Sequence, residues 1–147
     1  MNNFTINKIN FDDKQYFIHS SIEFYNSPAV LHDIDTKYHE DTFDELMNYS
    51  KYIDCYIFKV DKTYAGYALL NKTYSREAGG IVIWIEELFV EKEFRSKKIG
   101  SEFLRWLENN IPAKRYRLEV EKDNIKAISL YKHLGYTQLP YLQLIKE

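Results

Sequence analysis

The chain has 147 residues and a formal net charge of -2, from 20 Lys and Arg against 22 Asp and Glu. That length suits one domain over residues 1–147 with a real core, and a chain without cationic excess lacks what sequence-independent nucleic-acid binding requires. With 45% hydrophobic and 29% charged residues, the composition excludes a disordered chain, and no apolar run approaches the ~20 residues of a membrane span.

In chain order, Phe4 to Ile9 alternates with period two and predicts a strand. Apolar residues at 17, 18, 22 and 24/25 predict a helix from about Asp12 to Tyr25, with Asp12 as a candidate N-cap. The acid-rich stretch "HDIDTKYHEDTFDELM", 32–47, follows, and its second half predicts a short helix capped by Asp41 or Thr42. The β-rich runs 55–60 and 63–74 flank the polar pair Asp61-Lys62 and predict a hairpin. Residues 79–90, "GGIVIWIEELFV", are nearly all apolar apart from Glu86 and Glu87, so they predict a central strand buried on both faces.

The segment "EKEFRSKKIGSEF", 91–103, brings Lys92, Arg95, Lys97 and Lys98 together before Gly100 and an amphipathic run. Ile99, Phe103 and Trp106/Leu107 keep a 3.6 period, and Pro112 ends that helix near Asn110. "RYRLEV", 115–120, alternates as a strand. Residues 123–135 predict a helix with an Asp/Asn cap and Gly135 after its end. The tail, 136–147, is strand-like, broken or edged by Pro140. The order β-α-α-β-β-β-α-β-α-β gives a mixed sheet flanked by helices, α/β or α+β by class.

The single cysteine, Cys55, excludes an internal disulfide and points to a reducing compartment. "MNNFTINKIN" has no basic region followed by an apolar one, so a cytoplasmic protein is expected. His32 and His39 lie among acids, but their spacing fits no metal site, and none is expected. Cys55 reads as a buried inert thiol, and Glu77 as a turn residue.

Neither G-x-G-x-x-G nor G-x-x-x-x-G-K-[ST] occurs, which removes the usual dinucleotide and P-loop readings. A buried strand that runs into a cationic loop and a helix still offers phosphate a seat. Amides at a helix N-terminus lack partners and carry the positive end of the dipole. Arg95, Lys97, Lys98 and the Ser101 hydroxyl would add to it. A solvated loop fits that pattern equally well.

Two blocks carry a resemblance. Arg95 to Gly100, "RSKKIG", resembles the [QR]-x-x-G-x-[GA] pyrophosphate loop of the GNAT superfamily of acetyl-CoA-dependent N-acetyltransferases. Lys98 stands where that loop usually has its first glycine. Asn124 to Tyr136, "NIKAISLYKHLGY", is similar to the family's N-x-x-A-x-x-x-Y-x-x-x-G-[FY] segment, matching at Asn124, Ala127, Tyr131, Gly135 and Tyr136. The likeness spans about 80–136. The chain before residue 60 agrees in element order only and names no substrate.

The resemblance implies a single-domain GNAT-like fold whose central strand splays from its parallel neighbour. It implies that acetyl-CoA binds to main-chain groups of Leu88 and Val90 and to the loop of Arg95, Lys97, Lys98, Ile99, Gly100 and Ser101, with Asn124 contacting it from the last helix. It implies that the Tyr131 phenol protonates the leaving thiolate. Glu86 is expected to take the proton of the acceptor amine, and Glu87 to bind the acceptor's charge. A bulge would let both acids reach one site. The expected acceptor is a small or peptide-borne primary amine, and the acid-rich segment hints at a cationic one. The alternatives are a protein lysine or N-terminal acetyltransferase, and a non-catalytic acyl-CoA-binding module. A homodimer stays open.

Overall fold

The computed structural model describes residues 3–147. Its elements are β1 (Phe4–Lys8), α1 (Lys14–Tyr25), α2 (Thr36–Met47), β2 (Ile53–Val60), β3 (Thr63–Ser75), β4 (Gly80–Val90), α3 (Ile99–Asn110), β5 (Arg115–Leu118) and α4 (Ile125–His133). Short 3-10 turns precede α1 and α3.

The strands form one sheet in chain order. β1 to β4 are antiparallel neighbours, and β4 pairs with β5 in parallel. A parallel pair needs a crossover, and α3 supplies it. Asp61 and Lys62 both have positive φ, 49° and 69°, so β2 and β3 are joined by a two-residue turn whose twist suits the strands. Gly66 in β3 is required by close approach: a Cβ there would lie 2.1 Å from the Phe89 carbonyl oxygen of β4.

Each face of the sheet has its own core. On one face Phe58, Ala68, Leu70, Ile83 and Ile85 pack under Ile99, Phe103, Leu104 and Leu107 of α3, with Tyr131 and Leu134 of α4 at the margin. On the other face Cys55, Ile57, Tyr67, Leu69 and Phe89 meet Phe17 and Phe24 of α1 and Phe43 of α2. β4 is thus covered on both sides along most of its length, as its sequence predicts.

Three boundaries differ from the sequence reading. The turn before α1 is capped by Asn10, which forms a reciprocal capping box with Asp13, rather than by Asp12. The second helix begins at Thr36, where the Asp35 carboxylate accepts from the Lys37 amide at 2.9 Å, and not at Asp41 or Thr42. Only His39 and Phe43 of α2 are buried, so its inward stripe is narrow and gives a weak periodic signal. The tail strand does not form. Gly135, at φ 96°, ends α4, and Pro140 lacks an amide for a ladder. Tyr141 is held instead by its hydroxyl, which donates to Glu77 at 2.6 Å, and Leu142, Leu144 and Ile145 are exposed. The sheet therefore has five strands among the described residues, not six.

Candidate active site

The site is built around the second half of β4. β5 pairs with β4 only from Val82 to Ile85. Beyond that point β4 continues to Val90, paired with β3 alone. The Phe89 carbonyl points at β3, so by strand alternation the main-chain groups of Leu88 and Val90 point the other way, into the gap that β5 leaves. An unpaired edge of this kind accepts an added extended segment.

A register shift lies in the same stretch. Leu69 opposes Glu87 and Leu70 opposes Ile85, which leaves Glu86 as the extra residue of a bulge. The bulge changes the phase of β4. Ile83 and Ile85 share a core with Leu88 and Val90, so Glu86 and Glu87 both turn toward the opposite face, that of α1 and α2.

The two acids differ in surroundings. Glu86 is exposed, and its carboxylate accepts from the Asn71 amide at 2.7 Å. Shielding by the surrounding protein and the like charge of Glu119 raise its pKa, and the Asn71 hydrogen bond opposes them. Glu87 is only 6% exposed. Its Oε1 accepts from the Tyr67 hydroxyl at 2.6 Å and its Oε2 from the Tyr25 hydroxyl at 3.0 Å. Burial pushes its pKa up to about 7, although both tyrosine hydrogen bonds favour the charged form. With both oxygens engaged and little surface, Glu87 is not open to direct contact with an acceptor, contrary to the role expected for it.

At the end of β4 the chain makes the short turn Lys92–Phe94 and enters α3 through Arg95 to Lys98, all exposed or nearly so. Ser96 and Lys98 both have positive φ, 63° and 66°. Lys98 therefore takes the left-handed conformation that a glycine would hold without strain. It is the N-cap of α3, and no side chain caps that end. The Glu102 amide donates to the Lys98 carbonyl at 2.9 Å, so the amides of Ile99, Gly100 and Ser101 have no partner within the helix.

Gly100 has ordinary helical φ, and a Cβ there would meet only Leu88 Cδ2, at 3.6 Å. The chain's own packing does not demand glycine there. Free amides, local cations and an uncovered glycine fit a pyrophosphate, and the gap beside Leu88 and Val90 fits an extended arm.

Arg95 is folded back, its Nε donating to the Val90 carbonyl at 2.9 Å, so it already occupies one of the acceptors expected to face the coenzyme. The Lys97 ammonium lies 5.6 Å from the Phe94 ring centre. Ile99 and Ser101 are buried. Ile99 offers the loop its main chain, and Ser101 offers little more.

α4 carries the last two residues expected at the site. The Asn124 side chain accepts from the Ala127 amide at 3.2 Å, so its carbonyl caps the helix and its amide hydrogens stay free. Tyr131 is half-buried against the α3 core, and burial raises its pKa. Among the described residues its hydroxyl has no hydrogen-bond partner, so the proton it holds at neutral pH is uncommitted.

Other sequence candidates fall outside this arrangement. Cys55 is buried and its thiol pKa is pushed well up, first by burial. His39 is buried in α2, with Nδ1 2.8 Å from the Ser21 hydroxyl. Glu77 pairs with Arg115 at 3.0 Å near the start of β5. Sequence reasoning missed Asn71, Tyr25 and Tyr67. The last two lie 62 and 20 residues from Glu87, and no local spacing announces them.

A model of the Acetyltransferase (GNAT) family matches residues 17–136. The chain belongs to that family. GNAT acetyltransferases also share its fold. A possible acetyltransferase from Clostridium difficile 630 is 20% identical with a TM-score of 0.81, over 98% of this chain and 97% of that one. The aminoglycoside acetyltransferase AAC(6')-Iy, bound to the bisubstrate analogue CoA-S-monomethyl-acetylneamine, is 12% identical with a TM-score of 0.81, over 99% and 98%. A ribosomal-protein-alanine N-acetyltransferase from Brucella melitensis biovar Abortus 2308 is 14% identical with a TM-score of 0.75, over 99% and 100%. No curated protein matches the chain. No helix among the described residues is long and apolar enough to cross a membrane.

Proposed function

We propose that this GNAT acetyltransferase transfers an acetyl group from acetyl-CoA to a primary amine on a small cationic molecule, by direct attack with both substrates bound. The observation that carries the reading is the unpaired second half of β4 leading straight to the free amides of α3. Acetyl-CoA supplies the activated acetyl group, and the chain's residues hold it and manage protons.

Leu88 and Val90 hold the coenzyme arm through their main chain, and the amides of Ile99 to Ser101, with Lys97 and Lys98, hold its phosphates. The Val90 carbonyl keeps a second lone pair for the arm, and the Arg95 guanidinium beside it, bonded there only through Nε, keeps its terminal N–H groups for a phosphate. Asn124 keeps its amide for the coenzyme, and Tyr131 gives its phenolic proton to the departing thiolate. Glu86, exposed at the bulge and facing Glu119, receives the acceptor's ammonium group.

A small acceptor is supported by this concentration of acid at one point of the sheet. The test is free-thiol release from acetyl-CoA with a panel of polyamines, aminoglycosides, amino acids and lysine peptides. Turnover with small polycations and none with peptides is the expected result. Turnover with peptides alone would replace the small amine with a protein acceptor.

A further inference from the structure

We infer that Tyr25 is a contact residue for the acceptor amine and that it passes the amine's proton to Glu87 behind it. The inference rests on the amine acetyl transfer proposed above and assigns a path for the proton. Its starting point is a buried acid that neither coenzyme nor acceptor touches.

Glu87 is held from two sides, by Tyr67 from β3 at 2.6 Å and by Tyr25 from α1 at 3.0 Å. Tyr67 is fully buried, whereas Tyr25 is half-buried at the last turn of α1. Tyr25 also feels the charge of Glu86, whose carboxylate is at the open surface. Its hydroxyl thus spans the boundary between the buried acid and the open face where the ammonium group is drawn. A phenol that donates to Glu87 keeps its oxygen lone pairs for a donor on the other side.

The groups facing Glu87 are few. They are Tyr25 from α1, with His39 of α2 edge-on behind it at 5.6 Å, Cys55 from β2, Tyr67 from β3, and Glu86 on β4 itself. No Lys or Arg pairs with Glu87 among the described residues. A buried carboxylate without a cation holds a proton more readily than an exposed one, and its raised pKa of about 7 suits a proton acceptor at neutral pH.

The step balances. An N–H bond of the ammonium breaks and its electron pair stays on nitrogen for attack. That proton bonds to the Tyr25 oxygen as the Tyr25 proton moves to Glu87 Oε2. Glu87 ends neutral and Tyr25 unchanged. The proton returns to solvent by the reverse route before the next turnover. Glu86 then binds the amine and is not the terminal base.

The experiment has two arms, both on the full chain. In the first, glutamate carboxyls carry a carbon-13 label and are titrated by NMR. Glu87, identified by its loss in Glu87→Gln, is expected to titrate near pH 7, and Tyr67→Phe should move that midpoint upward, because a bond favouring the charged form is gone. No titration of Glu87 between pH 5 and 9 overturns the relay whatever the enzyme does.

In the second arm, the pH profile of kcat/KM is measured with the best acceptor. Tyr25→Phe and Glu87→Gln should each remove the limb near pH 7 and lower the rate at least tenfold below it. Glu86→Gln should raise KM and keep the limb. A limb that survives in Tyr25→Phe and vanishes in Glu86→Gln overturns the relay and makes Glu86 the base. If no amine is acetylated while Glu87 titrates as expected, the proposed function fails, and the relay fails with it for want of a proton to carry. Coenzyme binding by each variant, measured calorimetrically, shows whether it is folded.

Discussion

The two faces of the sheet bury different kinds of residue. The face under α3 and α4 is built from aliphatic and aromatic side chains such as Ile83, Ile85, Phe103 and Leu107. The face under α1 and α2 buries Asp13, Ser20, Ser21, His39 and Glu87 among its apolar residues. Burial of a polar group is costly unless a partner answers it, and there the partners are found. Tyr64 donates to Asp13 at 2.8 Å, Tyr16 to Glu91 at 2.7 Å, and Tyr25 and Tyr67 to Glu87. One face is an apolar backing between β4 and α3. The other holds proton-bearing groups that hydrogen-bond to one another. The bulge at Glu86 connects them, because it turns both acids of β4 away from the first face and onto the second.

The largest effect expected concerns Tyr131, which packs at the margin of the apolar face and is proposed as the acid. Tyr131→Phe should keep coenzyme affinity and lower turnover by roughly a hundred- to ten-thousand-fold, the usual contribution of a positioned acid. Turnover within a few-fold of the parent at saturating substrates would make Tyr131 a packing residue and remove chemistry from that face.

The polar face makes a different prediction, about stability. Glu87 has a pKa raised from 4.5 to about 7 by burial. The folded state therefore holds more protons than the unfolded one within that window. Stability is full below the unfolded value and falls as pH rises through the folded one. At 1.36 kcal/mol per unit, the loss approaches about 3 kcal/mol by pH 8. Glu87→Gln should flatten the pH dependence of the melting temperature between about pH 5 and 7, and should be the more stable protein at pH 8. Parallel curves for the two proteins would contradict the burial of a titrating acid on this face.

The smallest effect lies in the loop before α3. Lys98 has φ 66°, a conformation that costs a side-chain-bearing residue about 1–2 kcal/mol. Lys98→Gly should remove that strain and raise stability by about 1 kcal/mol, part of the gain being offset by glycine's freedom in the unfolded chain. Coenzyme affinity should fall modestly with the lost charge. A drop in stability would mean that the lysine side chain, rather than the backbone, holds the loop.

Much of the apolar face could be read from the sequence because its signals are local. The 3.6 period of Ile99, Phe103 and Leu107, the run of β4 and the spacing of Asn124, Ala127, Tyr131 and Gly135 each lie within one element. The cationic loop before α3 was legible as a loop for the same reason, and Lys98 within it takes the left-handed backbone that glycine holds without strain. The polar face was not legible. Tyr25, Tyr67 and Glu87 come from three elements, and only the packing of α1 on β3 and β4 joins them. Adjacent acids in one strand ordinarily face apart, so the shared face of Glu86 and Glu87 depended on a bulge whose position is set by pairing with β3. The tail misled for the opposite reason. Its apolar alternation is local and strand-like, but no partner strand takes it up, and Pro140 interrupts it.

The measurement that bears most directly on the account is calorimetric titration of the purified chain with CoA and with acetyl-CoA at two salt concentrations. Free amides at α3 and the cations beside them predict binding that weakens markedly as salt rises. Arg95→Glu should weaken it far more than Lys92→Glu, which lies before the loop. Absence of heat with either ligand, or equal loss in the two variants, would contradict the assignment of the β4–α3 junction as the coenzyme seat.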